Sequence, residues 1–296
     1  MQRCVLLATH GGDSANGAAR VAPLVAERLG VDLAVAAAIA PVPAIDYGYG
    51  IAFSAGNGVD AELEQRLRDD VDQQLRRSAA AARGVGILHG TPSIELAAAA
   101  RASRASMLVV GLGPHQAIDR ALGGETALQL VQVASTPVLA VPAGAVSLPR
   151  LVVAAIDFTP SSVWAARTAA TLLSRGDCLQ LVHVRAHGNR GHTDTVHARP
   201  PGPGVSPEEA LSRVAARLER PDLEIECVFL EGSAARTLLA HASAVHADMI
   251  ALGSHGYGQW KRLTIGSVAS KVLRLASTFV LVQPIGSVPT PGADKP

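Results

Sequence analysis

Residues 252–268 read Leu-Gly-Ser-His-Gly-Tyr-Gly-Gln-Trp-Lys-Arg-Leu-Thr-Ile-Gly-Ser-Val. An apolar strand that begins at Met249 precedes this stretch, and a helical pattern that reaches Val272 follows it. Glycines let a backbone approach an anion and adopt positive φ without a steric penalty, while the N–H groups and dipole of a helix start favour negative charge. The sequence therefore predicts a phosphate cradle, with Gly266 and Ser267 against the phosphate oxygens. A serine-capped glycine turn without a ligand remains the alternative.

The same pattern occurs earlier in the chain. His89–Val141 aligns without a gap to Glu231–Gln283, at an offset of 142 positions, and this pairs Gly111 with Gly253. Such self-similarity indicates a duplicated structural unit. The sequence predicts two domains, 1–145 and 150–290, joined by a short linker.

Short apolar segments alternate with helical segments in both copies, which is typical of a parallel sheet with helices on both faces. Right-handed crossovers then give a doubly wound arrangement. We predict an α/β protein with two tandem doubly wound parallel five-stranded sheets of the Rossmann-like type. In the second copy the predicted strands are Leu151–Ala155, Leu179–Val184, Glu224–Leu230, Met249–Leu252 and Phe279–Val282. The predicted helices include Ala61–Ala82 in the first copy and Ser162–Ser174, Glu208–Glu219 and Val268–Ala276 in the second.

Composition limits the classes of function. Aromatic residues make up 3% of the 296 residues and the formal net charge is +1, which argues against a nucleic-acid surface or an acidic membrane as partner. No apolar run approaches the roughly 20 residues that span a bilayer, and the first residues do not resemble a signal peptide. The three cysteines are far apart in sequence and are predicted to be reduced and buried. We expect a cytoplasmic protein.

The glycine stretch resembles the phosphate loop of the universal stress protein family, G-x2-G-x9-G-[ST]. Gly253, Gly256, Gly266 and Ser267 meet every spacing of that pattern. The resemblance implies an adenine nucleotide alpha hydrolase-like fold with strand order 3-2-1-4-5. It implies ATP as the ligand, with Mg²⁺ accompanying the triphosphate, in a regulatory stress-response protein that hydrolyses ATP slowly at most.

The resemblance also implies which residues contact the nucleotide. Asp157, at the end of the first strand of the second copy, would contact the nucleoside, and an Asx-type turn is the alternative interpretation. Val184, at the end of the next strand, would offer its backbone to adenine. Since ligands bind beyond the carboxyl ends of strands at a topological switch point, Asp157 and Gly253 are expected to lie together. The remaining contacts would come from the glycine loop and helix start: Ser254, His255, Gly256, Gly266, Ser267 and Val268.

The first copy departs from this pattern. Pro114 replaces the second glycine, Glu125 replaces the serine, and His10 replaces the aspartate. Proline removes an N–H donor, and a glutamate at a helix start brings its own negative charge. We therefore expect one ATP per chain, bound by the second copy only.

Association and function leave alternatives open. In the family the last strands of two units pair, which here would join Val138–Val141 to Phe279–Val282 as an intrachain pseudo-dimer. A homodimer is left open. A protein-interaction module that binds no nucleotide is one alternative function. The other is an ATP pyrophosphatase-type adenylating enzyme, since residues 9–14 are similar to the glycine loop of that class.

Overall fold

The computed structural model describes residues 3–40, 61–78, 84–113, 124–185, 204–255 and 265–287. The first half contains five strands and four helices within this range: β1 (Cys4–Ala8), α1 (Asn16–Leu29), β2 (Asp32–Ile39), α2 (Ala61–Arg77), β3 (Val85–His89), α3 (Pro92–Ala102), β4 (Ala105–Leu112), α4 (Gly124–Val133) and β5 (Val138–Pro142). The second half repeats the series: β6 (Leu151–Ala155), α5 (Pro160–Leu172), β7 (Cys178–Arg185), α6 (Pro207–Ala216), β8 (Glu224–Glu231), α7 (Ala234–Ala244), β9 (Met249–Gly253), α8 (Ser267–Leu275) and β10 (Phe279–Gln283).

All ten strands form one sheet in the order β3-β2-β1-β4-β5-β10-β9-β6-β7-β8. Neighbouring strands within each half are parallel, and each half has the order 3-2-1-4-5. The halves meet at β5 and β10, which pair antiparallel through Ala140–Val280, Leu139–Leu281 and Val138–Val282. The doubly wound α/β prediction is confirmed, and the two five-stranded sheets are continuous with each other.

Two hydrophobic cores cover the two faces of this sheet, and each core extends across both halves. One contains buried residues of α1, α2, α5 and α6, and the other contains buried residues of α3, α4, α7 and α8. Alanine, valine and leucine supply most of both cores, because helices rich in small side chains can pack closely on the sheet.

Several element boundaries differ from the sequence-based prediction. Helix α5 begins at Pro160, two residues before the predicted start, because Thr159 caps it and proline suits the first helical position. Helix α6 likewise begins at Pro207 after the N-cap Ser206. The predicted second helix extended to Ala82, whereas α2 ends at Arg77 and residues 79–83 lie outside the described residues.

The prediction that all three cysteines are buried is wrong. All three thiols are free, but only Cys4 is buried, while Cys178 is half-buried and Cys227 is exposed. Cys227 lies on β8, which is the last strand in the order of the sheet that the described residues form. Within the described ranges, no helix is long and apolar enough to cross a membrane.

Candidate functional site

The predicted site residues of the second half meet at the carboxyl edge of the sheet. Strand β6 lies between β9 and β7, so Asp157, which follows β6, lies between Gly253 at the end of β9 and Val184 near the end of β7. This is the topological switch point of the half, because β7 and β8 lie on one side of β6 and β9 lies on the other.

A backbone hydrogen bond closes the glycine loop. The Gly266 N–H donates to the Ser254 carbonyl at 2.8 Å, and the Ser254 N–H donates to the Gln283 carbonyl at 2.9 Å. The first bond joins the end of β9 to the start of α8, and the second joins it to β10. Gly256 lies outside the described residues, as does the rest of the loop between 256 and 264.

The start of α8 carries no side-chain cap. Gly266 is its N-cap residue and cannot accept a hydrogen bond through a side chain, whereas Thr159 and Ser206 do so for α5 and α6. Ser267 is exposed, and Val268 is half-buried. Among the described residues, the first N–H groups of α8 therefore have no side-chain acceptor at their N-cap, in contrast to those of α5 and α6 and in common with those of α1, α3 and α7.

Gly253 and Gly266 do not adopt the positive φ for which the sequence pattern suited them. Gly266 has φ −61° and ψ 150°, an extended conformation open to any residue, and Gly253 is not among the glycines with positive φ. A Cβ on Gly253 would instead lie 2.5 Å from Ser161 Oγ and 3.0 Å from the Ser162 nitrogen. Gly111 is in the same situation, 2.7 Å from the Ser14 carbonyl oxygen. Both glycines allow a helix start to approach the strand.

Asp157 forms the Asx-type turn that was the alternative interpretation. Its Oδ1 accepts hydrogen bonds from the Thr159 N–H at 3.0 Å and the Thr159 hydroxyl at 2.5 Å. Thr159 Oγ1 in turn accepts from the Ser162 N–H at 3.3 Å. Among the described residues, Asp157 Oδ2 accepts no hydrogen bond, so half of the carboxylate remains available.

His255 is a buried histidine with an unsatisfied nitrogen. Its Nδ1 is hydrogen-bonded to Ser254 Oγ at 2.8 Å, and its carbonyl accepts from Ser161 Oγ at 3.3 Å. Its Nε2 is buried and has no hydrogen-bond partner within the described residues. Burial lowers the pKa of His255 below its ordinary value, which favours the neutral ring.

Half-buried apolar residues surround this edge of the sheet. Val184 and Leu230 are register partners on β7 and β8. They share one face of the sheet with the half-buried Ala155, Ile265 and Val268. Among the described residues, no group of three or more His, Cys, Asp or Glu side chains could hold a metal ion.

The loop after β1, which corresponds to the Asp157 turn of the second half, is closed by its own hydrogen bonds. The Gly11 N–H donates to Thr9 Oγ1 at 3.2 Å, and the Gly12 N–H donates to His10 Nδ1 at 3.1 Å. Gln74 of α2 is buried and contacts Thr9 Oγ1 and the Gly12 carbonyl. These N–H groups are therefore occupied, which argues against the pyrophosphatase-type interpretation.

His10 is not placed to act as a base. Its Nε2 lies 3.1 Å from Ser14 Oγ. Because Nδ1 accepts the Gly12 N–H, the proton of the neutral ring is on Nε2, and His10 donates to Ser14. The other two positions at which the first half departs from the glycine-loop pattern are Pro114 and Glu125. Pro114 and the side chain of Glu125 lie outside the described residues.

The fold, together with the residues at the carboxyl edge of the sheet, defines a tandem, doubly wound α/β protein with a glycine loop at the switch point of its second half. The chain belongs to the universal stress protein family, whose model matches residues 1–142 and again 150–284. It is 34% identical over 189 residues to a universal stress protein from Mycolicibacterium smegmatis and 30% identical over 191 residues to one from Mycobacterium tuberculosis.

These matches cover 60% and 61% of this chain, and the chain spans 61% and 62% of the length of the two relatives. A solved universal stress protein from Archaeoglobus fulgidus has the same fold, with a TM-score of 0.69, 19% identity and coverage of 95% of this chain and 98% of its own.

Sequence reasoning missed four residues that hold the site together. Ser161 and Gln283 contact the glycine loop, and Phe158 and His183 pack beside Asp157. These contacts join elements that are distant in sequence. Only the capping sequence at Thr159 and Pro160 gave a local signal.

Proposed function

We propose that the second half of this chain binds one ATP and that the protein acts as a nucleotide-dependent regulatory protein in the stress response. The observation that carries the proposal is the bond between the Gly266 N–H and the Ser254 carbonyl. This bond holds the uncapped start of α8 beside the end of β9, where its N–H groups and dipole would attract the triphosphate. The proposed setting is the cytoplasm.

The remaining site residues support this assignment. Asp157 Oδ2 would accept hydrogen bonds from the ribose hydroxyls. Val184 and Leu230 would provide an apolar surface against which adenine packs. His255 Nε2 is buried and has no hydrogen-bond partner among the described residues, and a phosphate oxygen there would remove the cost of about 1–3 kcal/mol that an unsatisfied buried nitrogen carries. Gly253, Ser254, Gly256, Ser267 and Val268 would complete the contacts to phosphate. Mg²⁺ would arrive with the triphosphate rather than through a cluster of protein ligands.

The test exchanges one residue of α8 for its counterpart in the first half. Ser267→Glu places a carboxylate where phosphate is proposed to bind, and Ser267→Gln is the neutral control of the same shape. The side chain of Ser267 is exposed, so both variants are expected to fold. A glutamate in the first turn of a helix stabilises it by about 0.3–1 kcal/mol.

Calorimetric titration with Mg²⁺ and ATP gives the readout. We expect the affinity of Ser267→Glu to be at least tenfold lower than that of Ser267→Gln, about 1.4 kcal/mol, because both variants lose the hydroxyl and only the glutamate adds a negative charge. Failure of the original chain to bind ATP, or equal affinities for Ser267→Glu and Ser267→Gln, would overturn the proposal.

A nucleotide-free interaction module is the second candidate, and two observations favour it. The turn at Asp157 and the packing of Gly253 against Ser161 both have structural reasons without a ligand. Thermal unfolding with and without ATP separates the candidates. A ligand specific to the folded state at 100 times its Kd adds about 2.7 kcal/mol of stability, and the interaction module predicts no change.

A further inference from the structure

The turn after β6 contains a bulky residue in an unfavourable conformation. Phe158 has φ +63°, which side chains of this size rarely adopt. The equivalent residue of the first half is Gly11, with φ +78°. Both halves therefore make the same left-handed turn. The first half uses a glycine at this position, whereas the second half, which has Asp157, uses a phenylalanine. A bulky residue persists there only if its surroundings hold it.

The Phe158 ring is held by His183. Their ring centroids lie 4.7 Å apart at an interplanar angle of 38°, and His183 is 3% exposed. The ring of Phe229 lies 6.4 Å from His183 in an edge arrangement. By strand register, the first-half counterpart of His183 is Ala37, so neither partner of the aromatic pair exists there.

His183 also holds the backbone on the other side of Asp157. Its Nδ1 lies 2.7 Å from the Ile156 carbonyl oxygen. A carbonyl only accepts, so Nδ1 carries a proton and the ring orientation is fixed. The same side chain therefore contacts the residue before Asp157 through a hydrogen bond and the residue after it through ring packing.

We infer that His183 is a positioning residue for the nucleoside. By holding Ile156 and Phe158, it fixes the backbone of Asp157 so that Oδ1 bonds to Thr159 and Oδ2 is presented to the ribose hydroxyls. This inference rests on the proposed function. The first half has His10, Gly11 and Ala37 at the corresponding positions. It therefore lacks both the carboxylate and the pair of rings that orients it in the second half.

Two matched variants separate the two contacts of His183. His183→Asn keeps an N–H donor near the position of Nδ1 and loses the ring, whereas His183→Phe keeps a ring and loses the donor. Phe158→Gly copies Gly11 of the first half and needs no bulky residue in the left-handed region. Thermal unfolding identifies the variants that fold, and Phe158→Gly provides the test if both His183 variants are unfolded.

Titrations with ATP and with inorganic tripolyphosphate give the readout. We expect each folded variant to weaken ATP binding about five- to tenfold and to leave tripolyphosphate binding within twofold, since only the nucleoside contact changes. In an Asp157→Asn background the same substitutions are expected to have little further effect on ATP, because residues that act through one group are not additive.

Other outcomes overturn the inference. Equal loss for ATP and tripolyphosphate, full additivity with Asp157→Asn, or unchanged ATP affinity in all folded variants contradicts the role of His183 and leaves the proposed function standing. Absence of ATP binding by the original chain overturns both.

Discussion

At the end of β9, Gly253 lies against the start of α5. A Cβ added there would lie 2.5 Å from Ser161 Oγ, closer than real Cβ contacts come, and 3.0 Å from Ser161 Cβ and the Ser162 nitrogen, which is tighter than most such contacts. We expect Gly253→Ala to lower the free energy of unfolding by about 1–3 kcal/mol, because overpacking forces the helix start away from the strand.

Denaturant unfolding measures this effect. Gly144→Ala is the control, since no atom lies within 4 Å of a Cβ at that position, and it is expected to change stability little. Equal stability of the two variants would contradict the close approach of α5 to β9.

His255 gives the stability a predictable dependence on pH. Because its pKa is lower in the folded chain, the folded state binds fewer protons, and stability falls as pH drops below the unfolded-state pKa of about 6.5. The loss of stability continues until the pH reaches the folded-state pKa. It amounts to about 1.4 kcal/mol for each unit by which folding lowers the pKa of His255.

Urea unfolding at pH 7.5 and 5.5 tests this expectation on the original chain and on His255→Gln. The stability difference between the two pH values should be smaller in His255→Gln. An identical difference in both proteins would show that His255 does not titrate differently on folding.

At the scale of single elements, strong apolar patterns gave the most accurate predictions. Strand β9 was predicted as Met249–Leu252 and helix α8 from Val268, each within one residue of the structure. The start of α5 was missed because the capping signal at Thr159 and Pro160 lies ahead of the apolar pattern.

The contacts that build the site could not be read from local sequence. Ser161 reaches the His255 carbonyl across 94 positions, and His183 reaches the Ile156 carbonyl across 27. Sequence periodicity reports which face of an element is buried, but it does not report which side chains meet at the end of a sheet. The switch point predicted that Asp157 and Gly253 would be neighbours, because it depends on strand order alone.

We expect the seam, which is the pairing of β5 with β10, to couple the unfolding of the two halves. Leu139 and Leu281 are register partners, and both are fully buried. Arg28 of α1 strengthens the junction by donating to the Leu172 carbonyl at 3.0 Å and to Ser174 Oγ at 2.8 Å. We expect one calorimetric transition for the whole chain. Leu281→Ala should move this transition to a lower temperature, because it lowers the free energy of unfolding by about 2–5 kcal/mol.

Leu238→Ala is the matched control, since Leu238 is buried in α7, which lies in the second half and outside the seam. If the halves are coupled, this substitution also shifts the single transition. A first-half transition that stays in place in Leu238→Ala would contradict the coupling.

At the scale of the whole molecule, two similar halves share one sheet but differ at their switch points. Among the described residues, the turn after β6 in the second half has an available carboxylate oxygen at Asp157. In the first half, His10 and Thr9 engage the loop N–H groups, and Gln74 fills the space beside them. The duplication therefore leads us to expect one working nucleotide site and one that is structural.

The number of nucleotides bound per chain tests this asymmetry most directly. Equilibrium dialysis with saturating Mg²⁺ and ATP is expected to give one nucleotide per chain for the original protein and a much lower occupancy for Ser267→Glu at the same ATP concentration. Two nucleotides per chain, or none, would contradict the assignment of the site to the second half.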